Sequence, residues 1–65
     1  MEEPRLVTIE LQGRTFTGSY RVEGDLVRVT ADPYGSEEDA RLDGADPHDV
    51  AQGLLLEMIR RKEDL

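Results

Sequence analysis

Three runs in the first half of the chain alternate apolar and polar residues. In residues 5–11, Val7, Ile9 and Leu11 alternate with Leu6, Thr8 and Glu10. In residues 14–22, Phe16, Gly18, Tyr20 and Val22 alternate with Thr15, Thr17, Ser19 and Arg21. In residues 26–31, Val27 and Val29 alternate with Leu26, Arg28 and Thr30. A period of two, rich in β-branched and aromatic residues, predicts half-buried strands. Gln12-Gly13 and Gly24-Asp25 separate the runs and predict hairpins. Two-residue turns there pair Ile9 with Phe16, Thr8 with Thr17, Val22 with Val27 and Tyr20 with Val29. All the larger apolar side chains then share one face, which a register slip would undo. Gln is a poor first residue for a type I′ turn, so a longer first loop is the competing expectation. Gly18, on the apolar face, marks either a bulge or a close approach by another element.

The pattern changes after residue 31. Residues 32–35, Asp-Pro-Tyr-Gly, are turn chemistry. Residues 37–42 read either as a loop or as a short polar fourth strand, with Ala40 and Leu42 alternating with Asp39 and Arg41. Residues 47–62 predict a helix. Asp46 is a good N-cap, Pro47 suits the first helical position, and Asp49 lies in the first turn. Arg60, Arg61 and Lys62 in the last turn complement the macrodipole. At 100° per residue, Val50, Ala51, Leu54, Leu55, Met58 and Ile59 form a stripe about half the circumference wide. That is broad for a helix lying on one sheet. Leu56 falls outside the stripe, and Gly53 interrupts the helix at a cost of about 1 kcal/mol against Ala. The expected fold is α+β: an antiparallel three- to four-stranded β-meander with one C-terminal helix packed on one face. Residues 1–4 and 63–65 are expected to fray.

Composition narrows the function classes. Sixty-five residues allow one small domain, marginal as a monomer. There is no cysteine, hence no disulfide and no thiolate zinc site. No apolar run approaches a bilayer span, and Met1-Glu2-Glu3-Pro4 does not read as a secretion signal, so a cytoplasmic setting is expected. The net charge is −7. Residues 32–49 hold seven acids against Arg41 alone. This balance disfavours nucleic acid and anionic membranes as direct partners. It leaves Glu37, Glu38, Asp39 and Asp43 as a candidate acidic surface.

Candidate chemistry is sparse. No phosphate-binding glycine motif occurs. Residues 39–50 superficially suggest a calcium loop around Gly44, but Arg41 and Val50 stand where ligands are required. His48, between Asp46 and Asp49 in sequence, is the sole histidine. One histidine with two distant serines does not make a triad or a metal site. The expectation is no enzyme, no metal and no cofactor; a pocket around His48 would reopen the enzyme class. On the outer sheet face, Arg21 and Arg28 are expected to oppose each other, with Glu2, Glu3 or Glu23 as neutralisers. The two guanidinium groups are a candidate site for a small anion or a carboxylate-rich peptide, and together with Leu6 and Leu26 they form a candidate partner-binding set. Leu56, Ile59 and Gly53 form a candidate self-association set.

Residues 13–24 (Gly-Arg-Thr-Phe-Thr-Gly-Ser-Tyr-Arg-Val-Glu-Gly), followed by Val27-Arg28-Val29-Thr30 and Tyr34-Gly35-Ser36, resemble a group of short bacterial proteins of unassigned function. The resemblance implies a hairpin-rich first half and one amphipathic C-terminal helix, and carries no function over. The chain departs from it in the acidity of residues 37–43. The functional expectation is a small non-catalytic interaction or regulatory module, a homodimer with an unidentified protein partner. The alternative is an acidic decoy that occupies a nucleic-acid-binding protein through Glu37, Glu38, Asp39, Asp43, Asp46 and Asp49.

Overall fold

A computed structural model of the chain describes residues 4–32 and 35–63. Strands β1 (Arg5–Leu11), β2 (Arg14–Glu23), β3 (Leu26–Ala31) and β4 (Ser36–Arg41) precede helix α1 (Pro47–Glu63). The sheet is an antiparallel meander in the order β1-β2-β3-β4, and α1 packs across one face. Residues 1–3 and 64–65, expected to fray, lie outside the described residues, as do Pro33 and Tyr34 of the third turn. Glu63, also expected to fray, is the last residue of α1.

The register follows the apolar pattern. Ile9 faces Phe16, Thr8 faces Thr17, Val22 faces Val27 and Tyr20 faces Val29. The first hairpin does not use a longer loop. Leu11 pairs directly with Arg14, and Gln12 (φ 52) and Gly13 (φ 77) both take positive φ, as a type I′ turn requires. The tight turn wins because it keeps Val7, Ile9 and Phe16 on the buried face; Gln12 absorbs the left-handed strain. Such strain is of order 1–2 kcal/mol for an ordinary L-residue. Gln12→Asn should therefore raise stability by about 0.5–1 kcal/mol, read as a higher urea midpoint with an unchanged slope.

The fourth strand forms. Arg28 faces Asp39 and Val27 faces Ala40, so Ala40 turns inward while Glu37, Asp39 and Arg41 turn outward. Leu42 follows, buried, with its N–H donating to the Asp25 carbonyl. Asp43 and Gly44 then reverse the chain with positive φ. Asp46 caps α1: its Oδ2 accepts from the His48 N–H at 3.1 Å and from the Asp49 N–H at 3.2 Å.

The core joins Val7, Phe16, Tyr20, Val27, Val29, Ala31 and Leu42 to Ala51, Leu55, Met58 and Ile59 of the helix. Val50 and Leu54 pack half-buried on its flank, so the broad stripe is taken up within one chain. Gly18 resolves as a close approach. Pairing runs through it without a break, from Val7 to Gly18 to Ala31. A Cβ there would lie 2.4 Å from the Thr30 carbonyl oxygen and 3.2 Å from Leu55 Cδ1. The missing side chain, between Phe16 and Tyr20 on the same face, is the notch into which Leu55 descends.

Candidate functional site

Among the described residues, the helix covers one sheet face and leaves three surfaces of the sheet open: the outer face and the two edges. Antiparallel geometry decides what each edge presents. Leu11 and Arg14 close a two-residue turn and form a hydrogen-bonded pair, and such pairs alternate along the ladder. The outward main-chain groups of β1 are therefore those of Leu6, Thr8 and Glu10. One of them is engaged: Gln52 Nε2 donates to the Thr8 carbonyl at 3.3 Å. The same reasoning along β2 and β3 turns out the main-chain groups of Glu37, Asp39 and Arg41 on β4. Charged side chains are a common guard on sheet edges. These three residues of β4 are all charged, whereas of the three on β1 Glu10 alone is.

Gln52 also fixes which side of α1 overhangs β1. Leu56, four residues on, lies on that side. It is half-buried and stands apart from the core cluster. Of the other two residues expected to serve self-association, Ile59 is fully buried against the sheet and offers no surface to a second chain. Its helical spacing from Leu55 puts it in the stripe, and the stripe faces inward. Gly53 points away from the sheet, exposed, with open space where a Cβ would stand. Gly53→Ala should then add about 1 kcal/mol of stability, which corresponds to a rise in melting temperature of about 4–8 °C. Loss of self-association in that variant would instead place Gly53 in a helix–helix contact.

On the outer face, Arg21 and Arg28 oppose each other as the pattern predicts. Arg28 is neutralised from a strand the sequence leaves open. Its Nε donates to Asp39 Oδ1 at 3.1 Å, a bond that raises the guanidinium pKa above its usual value, helped by the nearby charges of Asp39, Glu23 and Glu37. Glu2 and Glu3 lie outside the described residues. Arg21 makes no ion pair among the described residues. An anion held between the two arginines would have to displace Asp39. Leu6, 71% exposed, and Leu26, 40% exposed, also lie on this face. They sit two strands and two rows apart, about 16 Å, so they do not form one apolar patch.

The acids of residues 37–49 are divided. Glu37 and Asp39 turn outward, while Glu38 turns toward the helix and accepts from Arg61 Nη2 at 2.8 Å. That bond raises the Arg61 pKa. Asp39 is held by Arg28, and Asp46 is the helix cap. Among the described residues, no group of three or more His, Asp or Glu side chains is arranged to hold a metal ion.

An open cleft of about 880 Å³ does adjoin His48, lined also by Arg5, Tyr20, Arg21, Val22 and Asp46. The His48 and Tyr20 rings meet edge to face, with centroids 5.8 Å apart. No serine, threonine or lysine is among the described residues lining the cleft. Asp46, the carboxylate among the described lining residues, spends its Oδ2 on the helix amides. The cleft thus brings together an imidazole, a phenol, a carboxylate and two guanidinium groups. No sequence signal points to this cleft, because it arises where β2 runs past the start of β1.

In comparisons with known proteins, no family model, no curated protein and no solved structure matches the chain. Among the described residues, no helix is long and apolar enough to cross a membrane.

Proposed function

We propose that the protein is a small non-catalytic interaction module that works by self-association. The observation that carries this reading is the inequality of the two sheet edges. One is lined by charged residues; the other offers the main chain of Leu6, Thr8 and Glu10 with one amide, Gln52, laid across it. A small domain has a further reason to associate, since it buries a modest share of its surface alone. The half-buried Leu56 beside that edge favours the same reading. The resemblance of residues 13–36 to short bacterial proteins is the ground for a bacterial source, and the absence of cysteine is the ground for a cytoplasmic setting.

The acidic decoy is the weaker alternative. It needs its carboxylates on one surface, whereas β4 sends them to both faces and two are bound to arginines.

Sedimentation equilibrium from low to several hundred micromolar, at low and high salt, tests the reading. The expected mass rises from 7.3 kDa toward twice that value, with little effect of salt. A mass of 7.3 kDa throughout contradicts self-association. Capture of a basic protein that is lost at high salt would favour the decoy, because exposed charges are screened.

A further inference from the structure

We infer that the protein dimerises by antiparallel pairing of β1 with β1 of a second copy, centred on Thr8, to form one continuous eight-stranded sheet. This rests on the self-association reading and adds the surface, the register and the symmetry to it.

Three observations select this occupant and this edge. The first is register. Pairing two copies of β1 about a twofold axis at Thr8 uses every residue of the strand. Thr8 faces its own copy, Leu6 faces Glu10, Val7 faces Ile9 and Arg5 faces Leu11. The outward main-chain groups of Leu6, Thr8 and Glu10 meet their equivalents in about six hydrogen bonds. The side-chain alternation is preserved across the join, so Val7 and the half-buried Ile9 extend one apolar face while the Thr8 pair lies on the other. A single patch that matches itself is what a twofold interface requires.

The second observation is charge. The segment with seven acids and one base, residues 32–49, includes the whole of β4. Joining the β1 edges puts the two β4 strands at opposite ends of the sheet, about 34 Å apart at the usual strand spacing. That is several Debye lengths at physiological salt. Joining the β4 edges about their own centre would flank two Glu37–Arg41 pairs of opposite charge around an Asp39–Asp39 contact, and would bring together the two most acidic segments of the chains. Like charges directly opposed across a strand pair are destabilising.

The third is the helix flank. Gln52 reaches down to Thr8, so the join runs beneath the side of α1 that carries Gln52 and Leu56. Pairing brings the two Leu56 flanks toward each other above the new strand pair. This accounts for a leucine that is half-buried without belonging to the core. Gln52 keeps its acceptor, because a carbonyl oxygen has two lone pairs.

Two substitutions at Thr8 and one control test the inference beside the wild-type chain. The Thr8 N–H points to the free edge, so Thr8→Pro removes no hydrogen bond within the monomer, and proline is tolerated at sheet edges. Circular dichroism checks that the variant is folded. Its association should weaken at least roughly tenfold in sedimentation equilibrium, because the central pair of bonds is lost and the ring obstructs the partner strand. Thr8→Cys introduces the one thiol in a chain that has none. Directly opposed residues in a hydrogen-bonded pair have Cα atoms about 5.5 Å apart, within disulfide reach. Thr8→Cys should cross-link under mild oxidation, and Asp39→Cys at the centre of the β4 edge should not. If the wild-type chain is a dimer while Thr8→Pro is folded and still dimeric, or Asp39→Cys cross-links in preference to Thr8→Cys, the β1 pairing is overturned and self-association stands. A wild-type chain that stays monomeric at several hundred micromolar overturns both.

Discussion

Leu55→Ala should lower the stability of the protein by about 2–5 kcal/mol. Leu55 is fully buried at the centre of the helix face that meets the sheet. Truncating such a leucine costs about 2–5 kcal/mol, the high end applying where the surroundings cannot collapse into the space. Here they cannot collapse easily. The notch beneath Leu55 is bounded by main chain at Gly18, which has no side chain to fill it. A domain of this length is expected to have about 3–10 kcal/mol of total stability. One side chain therefore controls about a fifth of it at the least, and about half or more at the high end of the cost. Urea unfolding followed by far-ultraviolet circular dichroism is the appropriate readout, since the chain has no tryptophan. A loss below about 1 kcal/mol would mean that the helix does not seat on Gly18 as described.

Gly18→Ala should be the next most damaging of these changes, at about 1–3 kcal/mol, a typical overpacking cost. The new methyl would meet two groups of different character. Leu55 Cδ1, at 3.2 Å, belongs to a side chain that can turn aside. The Thr30 carbonyl oxygen, at 2.4 Å, belongs to the neighbouring strand and cannot move without opening the β2–β3 ladder. The second contact sets the cost. Gly18→Ala should thus stay destabilising when combined with Leu55→Ala. A double-mutant cycle measures this. Near-complete rescue of Gly18→Ala by the smaller residue at 55 would show that the helix, rather than the strand, is the obstacle.

These two positions also show what a single sequence can convey. The period of two in residues 5–31 is enough to read the strands, their partners and the buried face, because a one-residue slip would turn Phe16, Tyr20 and Val29 to solvent. Asp46, Pro47 and the basic last turn are enough to read the helix. Gly18 is legible as an exception to the pattern, but its cause is not, since the opposing atom comes from β3 and the opposing side chain from α1. The first turn misleads because local preference conflicts with register: Gln12 is an unfavourable turn residue, and the buried face overrides it. The fourth strand stays open in the sequence because Ser-Glu-Glu-Asp-Ala-Arg has little β propensity; its pairing with β3 holds it. Without that strand, Asp39 is hidden as the partner of Arg28, and with it the reason why opposed arginines are tolerated. Helical spacing already puts Ile59 in the apolar stripe and Leu56 outside it, so grouping both for self-association conflicts with the stripe: Ile59 lies beneath the helix and Leu56 at its side. The candidate interaction surface is visible only in part. Leu6 can be read as an exposed apolar residue, but the contrast between a guarded and an unguarded edge needs the strand order.

That contrast is the centre of the functional account. On the proposed reading, the charged edge at β4 keeps the sheet from growing in one direction, and the edge with one acid at β1 leaves it open in the other. Amide hydrogen exchange, followed residue by residue at low micromolar and at several hundred micromolar protein, tests this most directly. The account predicts that the amides of Leu6, Thr8 and Glu10 exchange more slowly at the higher concentration, while those of Glu37, Asp39 and Arg41 do not change. Slowing confined to β4, or rates independent of concentration on both edges, would contradict it.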